Sequence, residues 1–320
     1  MSTAELILSI SCIKGVGPKT CLRLLDTLPK GIKSENQLKT ALIELSGQIP
    51  RFSPTAESLD AAFVKAHNTI EDAEREKVHI LAIGAEDYPL ALAQCESPPL
   101  ILFCKGEVSA LKSNSCAIVG SRKSTSHANL VAHRAAMKAS EQGITVVSGL
   151  ALGVDQAAHE GCLKYSGTTV AVLGGGLDKI HPKSNSFLSE TILENGGVLV
   201  SEHPLGTTPI PPNFVKRNRI QAGLSGGVLL IQASADSGSM ITCRHALEEG
   251  RCLGVYSPSN GFVGDYSGNE IMQSNSASIL ISDKQSLDRF FHESSSRFEE
   301  LQNKPKARHF HTSEQTKMDF

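Results

Sequence analysis

The sequence predicts an α/β fold: a mainly parallel sheet flanked by helices, with a small helical domain ahead of it. Three observations carry that expectation. Between Cys116 and Arg251 one pattern repeats: a short apolar run, a turn rich in Gly or Ser, then a segment of helical length. The runs Cys116–Val119, Thr145–Ser148, Thr169–Leu173, Val198–Ser201 and Val228–Ile231 are continuous rather than alternating, which fits parallel strands covered on both faces. Each run is followed by small or polar residues, in turn Gly120-Ser121-Arg122, Ser148-Gly149-Leu150, Gly174-Gly175-Gly176, Ser201-Glu202 and Ala233-Ser234. Ligands of open α/β sheets sit at those carboxyl ends. Small residues there let a ligand approach the backbone, and helix N-termini present N–H groups to an anion. The edge reads as a phosphate-recognising face.

Composition sets bounds. At 320 residues the chain has room for a large core and more than one domain. It is 40% hydrophobic and 20% charged, the balance of a soluble globular protein. A net charge of −2 supplies no global pull on nucleic acid, so any such site must be a local patch. The cysteines, Cys12, Cys21, Cys95, Cys104, Cys116, Cys162, Cys243 and Cys252, form no C-x-x-C pair. They read as buried, reduced thiols of a cytosolic protein. No basic-then-apolar leader opens the chain, and no apolar run nears the roughly 18 residues of a membrane span. The expected setting is cytoplasmic, with no membrane partner.

Taken in order, residues 1–77 read as a helical domain. Ala4–Ile13 has helical apolar spacing, and Ile13-Lys14-Gly15-Val16-Gly17-Pro18-Lys19-Thr20 turns into a second helix. That turn resembles a helix-hairpin-helix, in which backbone N–H groups hold a DNA phosphate. Lys14, Gly15, Gly17 and Lys19 are thus a possible secondary DNA contact, beside the plainer reading of a tight turn between packed helices. Residues 30–60 read as polar and irregular, and Leu59–Lys77 as an amphipathic helix. A lead-in over 78–110 offers strands at Val78–Ile83 and Leu100–Cys104 around a short helix from Tyr88. The core domain, 78–282, then takes helices at Ser124–Gln142, Val154–Tyr165, Ser184–Glu194, from Asn213, and at Met240–Glu249, with late strands at Leu253–Tyr256 and Ile279–Ile281. From Asp283 to 320 the chain reads as a polar, partly disordered tail, helical at most over Leu287–Phe291 and basic over Lys304–His311.

Several motifs follow one another in the core: Gly120-Ser121-Arg122, Ser148-Gly149-Leu150-Ala151-x-Gly153-Val154-Asp155, Ala158-His159, Ala171-Val172-Leu173-Gly174-x-Gly176-Leu177-Asp178, Ser201-Glu202, Phe214-x-x-Arg217-Asn218-Arg219-Ile220 and Ser237-Gly238-Ser239-Met240-Ile241-Thr242. In this order, over roughly Tyr88 to Arg251, they resemble the DNA-processing protein A family, DprA, also called Smf. The resemblance implies an extended Rossmann-like fold that binds single-stranded DNA, commonly as a homodimer. It also implies protection of incoming DNA during natural transformation and loading of a RecA-type recombinase onto it, without enzymatic activity or a cofactor. The chain departs from the family pattern in having Gln232 in place of a glutamate, and in a polar C-terminal segment where many members carry a winged-helix-like domain.

The candidate DNA-binding residues are Arg122, Ser148, Gly149, Gly174, Gly175, Gly176, Phe214, Lys216, Arg217, Asn218, Arg219, Ser237, Gly238, Ser239 and Thr242. Arg122 follows a strand end and is placed either to clamp a phosphate or to pair with a crossover helix. Lys216, Arg217 and Arg219 cluster at a helix start; one helix face meets a polyanion, so two of the three are expected to do so. Phe214 fits both a base-stacking platform and a core position. The Ser-Gly stretches offer N–H groups and hydroxyls to phosphate, although Ser239 and Thr242 also suit helix capping. Asp155 and His159, at i and i+4, read as a hydrogen-bonded pair rather than a metal site, and Glu202 as a polar orienter. Two other classes compete. One is a nucleotide-sensing protein of defence or signalling. The other is a nucleoside-monophosphate phosphoribohydrolase, whose Pro-Gly-Gly-x-Gly-Thr-x-x-Glu signature meets Thr242 here where its glutamate would stand. A nicotinamide dehydrogenase is disfavoured because no G-x-G-x-x-G follows the first strand.

Overall fold

The computed structural model describes residues 1–258 and 263–304. The chain forms two compact units. Met1–Tyr88 with Pro99–Phe103 makes the first, and Pro89–Pro98 with the chain from Cys104 makes the second. The first division thus falls at Tyr88 rather than at residue 77.

The first unit holds α1 (Thr3–Ser11), α2 (Pro18–Thr27), α3 (Glu35–Glu44), α4 (Ala56–Arg75) and β1 (His79–Ala82). Its helices begin where caps allow: Ser2 and Glu5 form a reciprocal capping box on α1, and Thr55 and Ser58 one on α4. Ile7, Ile10, Leu24, Leu38, Leu42 and Leu59 are fully buried and make its core. The irregular reading of residues 30–60 is corrected by α3. Ser34 caps that helix by accepting from the Gln37 N–H at 3.3 Å, and only Leu38, Ala41 and Leu42 are buried along it. So narrow an apolar stripe on a polar helix gives a weak periodic signal.

The second unit contains α5 (Leu90–Ala93), and β2 (Ile101–Gly106) spans the change from one unit to the other along the chain. The alternating series follows: β3 (Ser115–Val119), α6 (Ser126–Glu141), β4 (Thr145–Ser148), α7 (Val154–Lys164), β5 (Thr169–Val172), α8 (Ser186–Glu194), β6 (Val198–Ser201), α9 (Pro211–Leu224), β7 (Gly227–Leu230), α10 (Gly238–Glu248), β8 (Cys252–Tyr256), α11 (Ser267–Gln273), β9 (Ser278–Ile281) and α12 (Lys284–Asn303). Strands β6-β5-β4-β3-β7-β8-β9 lie in that order, each parallel to its neighbour. Every residue of β3 through β7 is buried, as a sheet covered on both faces requires. From β3 the chain first steps one way to β4, β5 and β6, then returns to β3's other side for β7, β8 and β9. The β3/β7 boundary is therefore the topological switch point, where a crevice opens beyond the strand ends.

The tail reading from Asp283 is corrected over its first part. Lys284–Asn303 is one helix, opened by an Asp283/Ser286 capping box. Phe290 and Phe291 are fully buried, with Phe290 lying over Gly227 of β7 and Gly254 of β8, and Phe298 and Leu301 are buried further along. The apolar positions 287, 290, 291, 298 and 301 follow helical spacing, but Ser, Glu and Arg between them lower the mean hydropathy of the segment. The basic stretch expected over Lys304–His311 lies outside the described residues from position 305 onward. All eight cysteines are free thiols, five of them buried. Among the described residues no helix is long and apolar enough to cross a membrane.

Candidate functional site

Beyond the carboxyl ends of β3 and β7 lies a cavity of about 870 Å³. Gly120, Ser121 and Arg122 enter it from the β3 end, Gln232 and Ser234 from the β7 end, and α9, α10, the start of α7 and the loops carrying His181 and Asp265 supply further walls. Two strand-end loops are pinned together here. The Ser121 N–H donates to the Gln232 carbonyl at 2.7 Å, and the Thr125 N–H donates to Gln232 Oε1 at 2.8 Å. An amide at position 232 thus receives a backbone N–H.

On one side the cavity is open. Arg122 is exposed and makes no ion pair among the described residues, so the alternative of a structural salt bridge is not what the geometry gives. Its guanidinium carbon stands 5.3 Å from the centre of the Phe214 ring, a cation–π arrangement that orients the cation without neutralising it. Phe214 is half-buried, and His181 tilts against it at 5.4 Å between ring centres. The N-terminus of α10 faces the same space. Ser237 caps it, accepting from the Ser239 N–H at 3.4 Å, and the two hydroxyls meet at 2.7 Å. Gly238 is exposed, with open space where a side chain would stand. Exposed Asp236 and Asp265 form a negative part of the rim; the Asp236 carboxylate accepts the Ser234 hydroxyl at 2.7 Å.

The side toward β4 and β5 is packed. Ser148 is fully buried and donates its hydroxyl to the Ile118 carbonyl at 2.8 Å. The Gly149 N–H donates to the Asp155 carboxylate at 3.1 Å. Both donors expected for phosphate are committed inside the protein. Gly149 is glycine because the Arg217 guanidinium lies where a side chain would be. Gly174, Gly175 and Gly176 are buried beneath the chain that returns from β6: a side chain at Gly174 would come within 2.8 Å of Phe214, and one at Gly175 within 3.0 Å of Pro209. These glycines admit the covering segment rather than a ligand.

Arg217 is only 4% exposed and donates to the Val172 carbonyl. Burial pulls its pKa down to about 10, against the opposing pull of the Asp155 carboxylate. Burial likewise raises the Asp155 pKa, opposed by Arg217 and by the N–H groups of Ala151 and Gly149. The two charges offset each other beneath the cavity. His159 is not hydrogen-bonded to Asp155, which corrects the expected pair. Its Nδ1 meets the Thr169 hydroxyl at 2.7 Å. That hydroxyl donates to the Val146 carbonyl at 2.7 Å, so Nδ1 carries the proton and Nε2 is left with no partner. Burial, then Arg217, lowers the His159 pKa to about 3.

The cationic cluster on α9 divides. Arg217 is buried, Lys216 is exposed away from the cavity wall, and Arg219 is held by Glu202 at 2.5 Å. Glu202 orients that arginine. Asn218 donates to the Gly238 carbonyl at 3.0 Å, joining α9 to the start of α10. Ser239 and Thr242 are buried in the cavity wall. Sequence reasoning passed over His181, which lies in the loop after β5 with no motif of its own, and Gln221, which stands one turn beyond Arg217 on the same face of α9. In the first unit, Lys14, Gly15, Gly17 and Lys19 are all exposed, Gly15 has φ +85° and Gly17 is the N-cap of α2 with no side-chain cap.

Residues 79–291 match the family model described as DNA recombination-mediator protein A. The chain is 42% identical over 178 residues to protein Smf of Escherichia coli K12, covering 56% of this chain and 48% of that protein. Its fold matches the X-ray structure of DNA processing protein A from Streptococcus pneumoniae with a TM-score of 0.69 at 29% identity, over 90% of this chain and 98% of that one. It also matches a Helicobacter pylori DNA processing protein A structure concerned with a single-stranded DNA binding mode, with a TM-score of 0.59 at 28% identity, over 67% of this chain and 94% of that one.

Proposed function

We propose that this chain, which belongs to the DNA recombination-mediator protein A family, binds single-stranded DNA at the cavity beyond β3 and β7. The observation that carries the reading is Arg122: an exposed guanidinium, unpaired among the described residues and held over an aromatic face at the mouth of a switch-point cavity. A charge-assisted contact from Arg122 and N–H groups from the open start of α10 engage successive phosphates, while Phe214 presents a ring to a base. The ssDNA-binding relative from H. pylori supports the same ligand. The site binds rather than catalyses: Thr242 lacks a carboxylate, and Glu202 is held by Arg219. On this reading the biological role is of the DprA type, protecting incoming strands in transformation and presenting them to a RecA-type recombinase, with two copies of the chain acting as a homodimer.

A nucleotide-sensing pocket is the second reading, favoured by the cavity's size, which lies within the roughly 300–1,000 Å³ range of small-ligand sites. An electrophoretic shift decides between them. Single- and double-stranded oligonucleotides of equal length are compared across a salt series, with free mononucleotides as competitors. Single-strand preference with affinity falling steeply with salt is expected, because each neutralised phosphate releases counterions. A mononucleotide that competes equally per phosphate would favour the sensor. Release of free base from nucleoside monophosphates above background would identify a hydrolase.

A further inference from the structure

We infer that the cavity floor takes one nucleobase out of the bound strand and reads its edge through Gln221 and Thr242. The inference rests on the single-strand reading above and adds a specificity element to it. Gln221 is 2% exposed and Thr242 1% exposed, yet both line the cavity. Neither side chain is hydrogen-bonded to another described residue, and neither polar end is among the fully enclosed, unpartnered atoms of the protein, so the amide and the hydroxyl keep their hydrogen-bonding capacity for what enters the cavity. A buried amide and a buried hydroxyl facing one space are a site prepared for a polar ligand.

The chemistry of that ligand follows from what surrounds them. At the floor Arg217 donates to the Val172 carbonyl and feels the opposing charge of Asp155, so it is not a free cation like Arg122. Asp236 and Asp265 on the rim repel a phosphate from that part of the cavity. A primary amide presents a donor and an acceptor side by side in one plane, the arrangement that pairs with a base edge. A hydroxyl beside it donates or accepts as the base demands. Phe214, which meets Arg122 and His181, lines the same cavity and offers aromatic surface to a base. Phosphates then stay outside at Arg122 and the start of α10, and one base turns inward.

The test uses fluorescence anisotropy with short single-stranded oligonucleotides of equal phosphate count: the four homopolymers and a wholly abasic backbone. The wild-type protein should bind its preferred homopolymer at least about 5-fold more tightly than the abasic strand, the discrimination expected of one well-placed pairing contact. Gln221→Leu and Thr242→Val should each narrow the spread among homopolymers while keeping the slope of affinity against salt, since no phosphate contact is touched. In parallel, 2-aminopurine is placed singly along a strand bound to the wild-type protein, and one position should be shielded from iodide quenching far more than its neighbours. This measurement stands even where a variant fails to fold. Equal wild-type affinity for abasic and base-containing strands, undiminished discrimination in folded Gln221→Leu, or uniform quenching along the strand would each overturn the inference and leave phosphate-based binding intact. No binding of any strand by the wild-type protein would instead overturn the proposed function, and this inference with it.

Discussion

The β3/β7 end of the sheet and the β4/β5 end carry the same kinds of residue and use them differently. Both follow buried strands and both offer glycine beside serine or another glycine. At the β3/β7 end, Arg122 reaches water and the start of α10 is open. At the β4/β5 end, Ser148 and Gly149 donate inward, and Gly174 and Gly175 lie under Phe214 and Pro209. Two arginines make the same point. Arg122 and Arg217 both line the cavity, but one is an exposed cation and the other is buried, donating to the Val172 carbonyl under the pull of the Asp155 carboxylate. Glycine at a strand end marks close approach of the protein's own chain at both ends, since Gly120 lies against Val154 and the Gln232 carbonyl as Gly174 lies under Phe214, whereas Gly238 at the start of α10 faces open space.

The largest effect that would break this contrast comes from Arg217. Arg217→Met should destabilise the fold by about 3–5 kcal/mol, because it strands the Asp155 carboxylate in a buried site. Denaturant melts should show it. A variant as stable as the wild type that binds DNA poorly would instead make Arg217 a ligand contact like Arg122.

Arg122→Ala should do the reverse. It should leave the melting temperature unchanged and weaken single-strand binding about tenfold to a hundredfold, the roughly 1.5–3 kcal/mol of a charge-assisted contact. A fall in stability without a fall in affinity would place Arg122 on the packed side.

Gly174→Ala tests the covering role of the glycines. Its new methyl would sit 2.8 Å from the Phe214 ring, an overpacking cost of about 1–3 kcal/mol. Stability should drop, and DNA affinity should drop only as far as Phe214 is displaced. Unchanged melting with lost affinity would show that the Gly174 backbone meets the ligand directly.

The fourth effect is spread over pH. His159 is held neutral in the fold, with its pKa lowered to about 3 from an ordinary 6.5. The unfolded chain therefore binds the extra proton first. The stability His159 contributes is present above about pH 6.5 and is lost as pH falls toward 3, at up to about 1.4 kcal/mol per pH unit. His159→Asn, which keeps a donor for Thr169, should flatten that limb of a stability–pH profile. An identical slope in the variant would assign the acid sensitivity to other groups.

Much of this architecture was legible beforehand because it is written locally. The continuous apolar runs named β3 to β7 almost to the residue, and the Gly and Ser after them marked the edge where the cavity opens. The misread elements have weak local signals. Residues Glu35–Glu44 and Lys284–Asn303 are polar helices, and α12 shows its buried stripe only once a sheet is there to receive Phe290 and Phe291. Gln221 was within reach of i, i+4 reasoning from Arg217, but nothing in its spacing said that the space beside it would be empty.

The sequence by itself determined that there would be a parallel sheet, that small and polar residues would follow its strands at the carboxyl edge, and which cations stood near it. These follow from hydrophobic period and turn chemistry, which act over a few residues. Only the tertiary structure decided which of those residues meet solvent. The return of the chain from β6 across Gly174 and Gly175, the reversal of strand order at β3/β7, and the bond from Arg217 to the Val172 carbonyl all join distant segments. A guanidinium has the same chemistry in either place. Whether it is free for an anion or committed to the protein's own backbone depends on the partner that folding brings within reach, because desolvation penalises a charge left alone and a nearby countercharge relieves it.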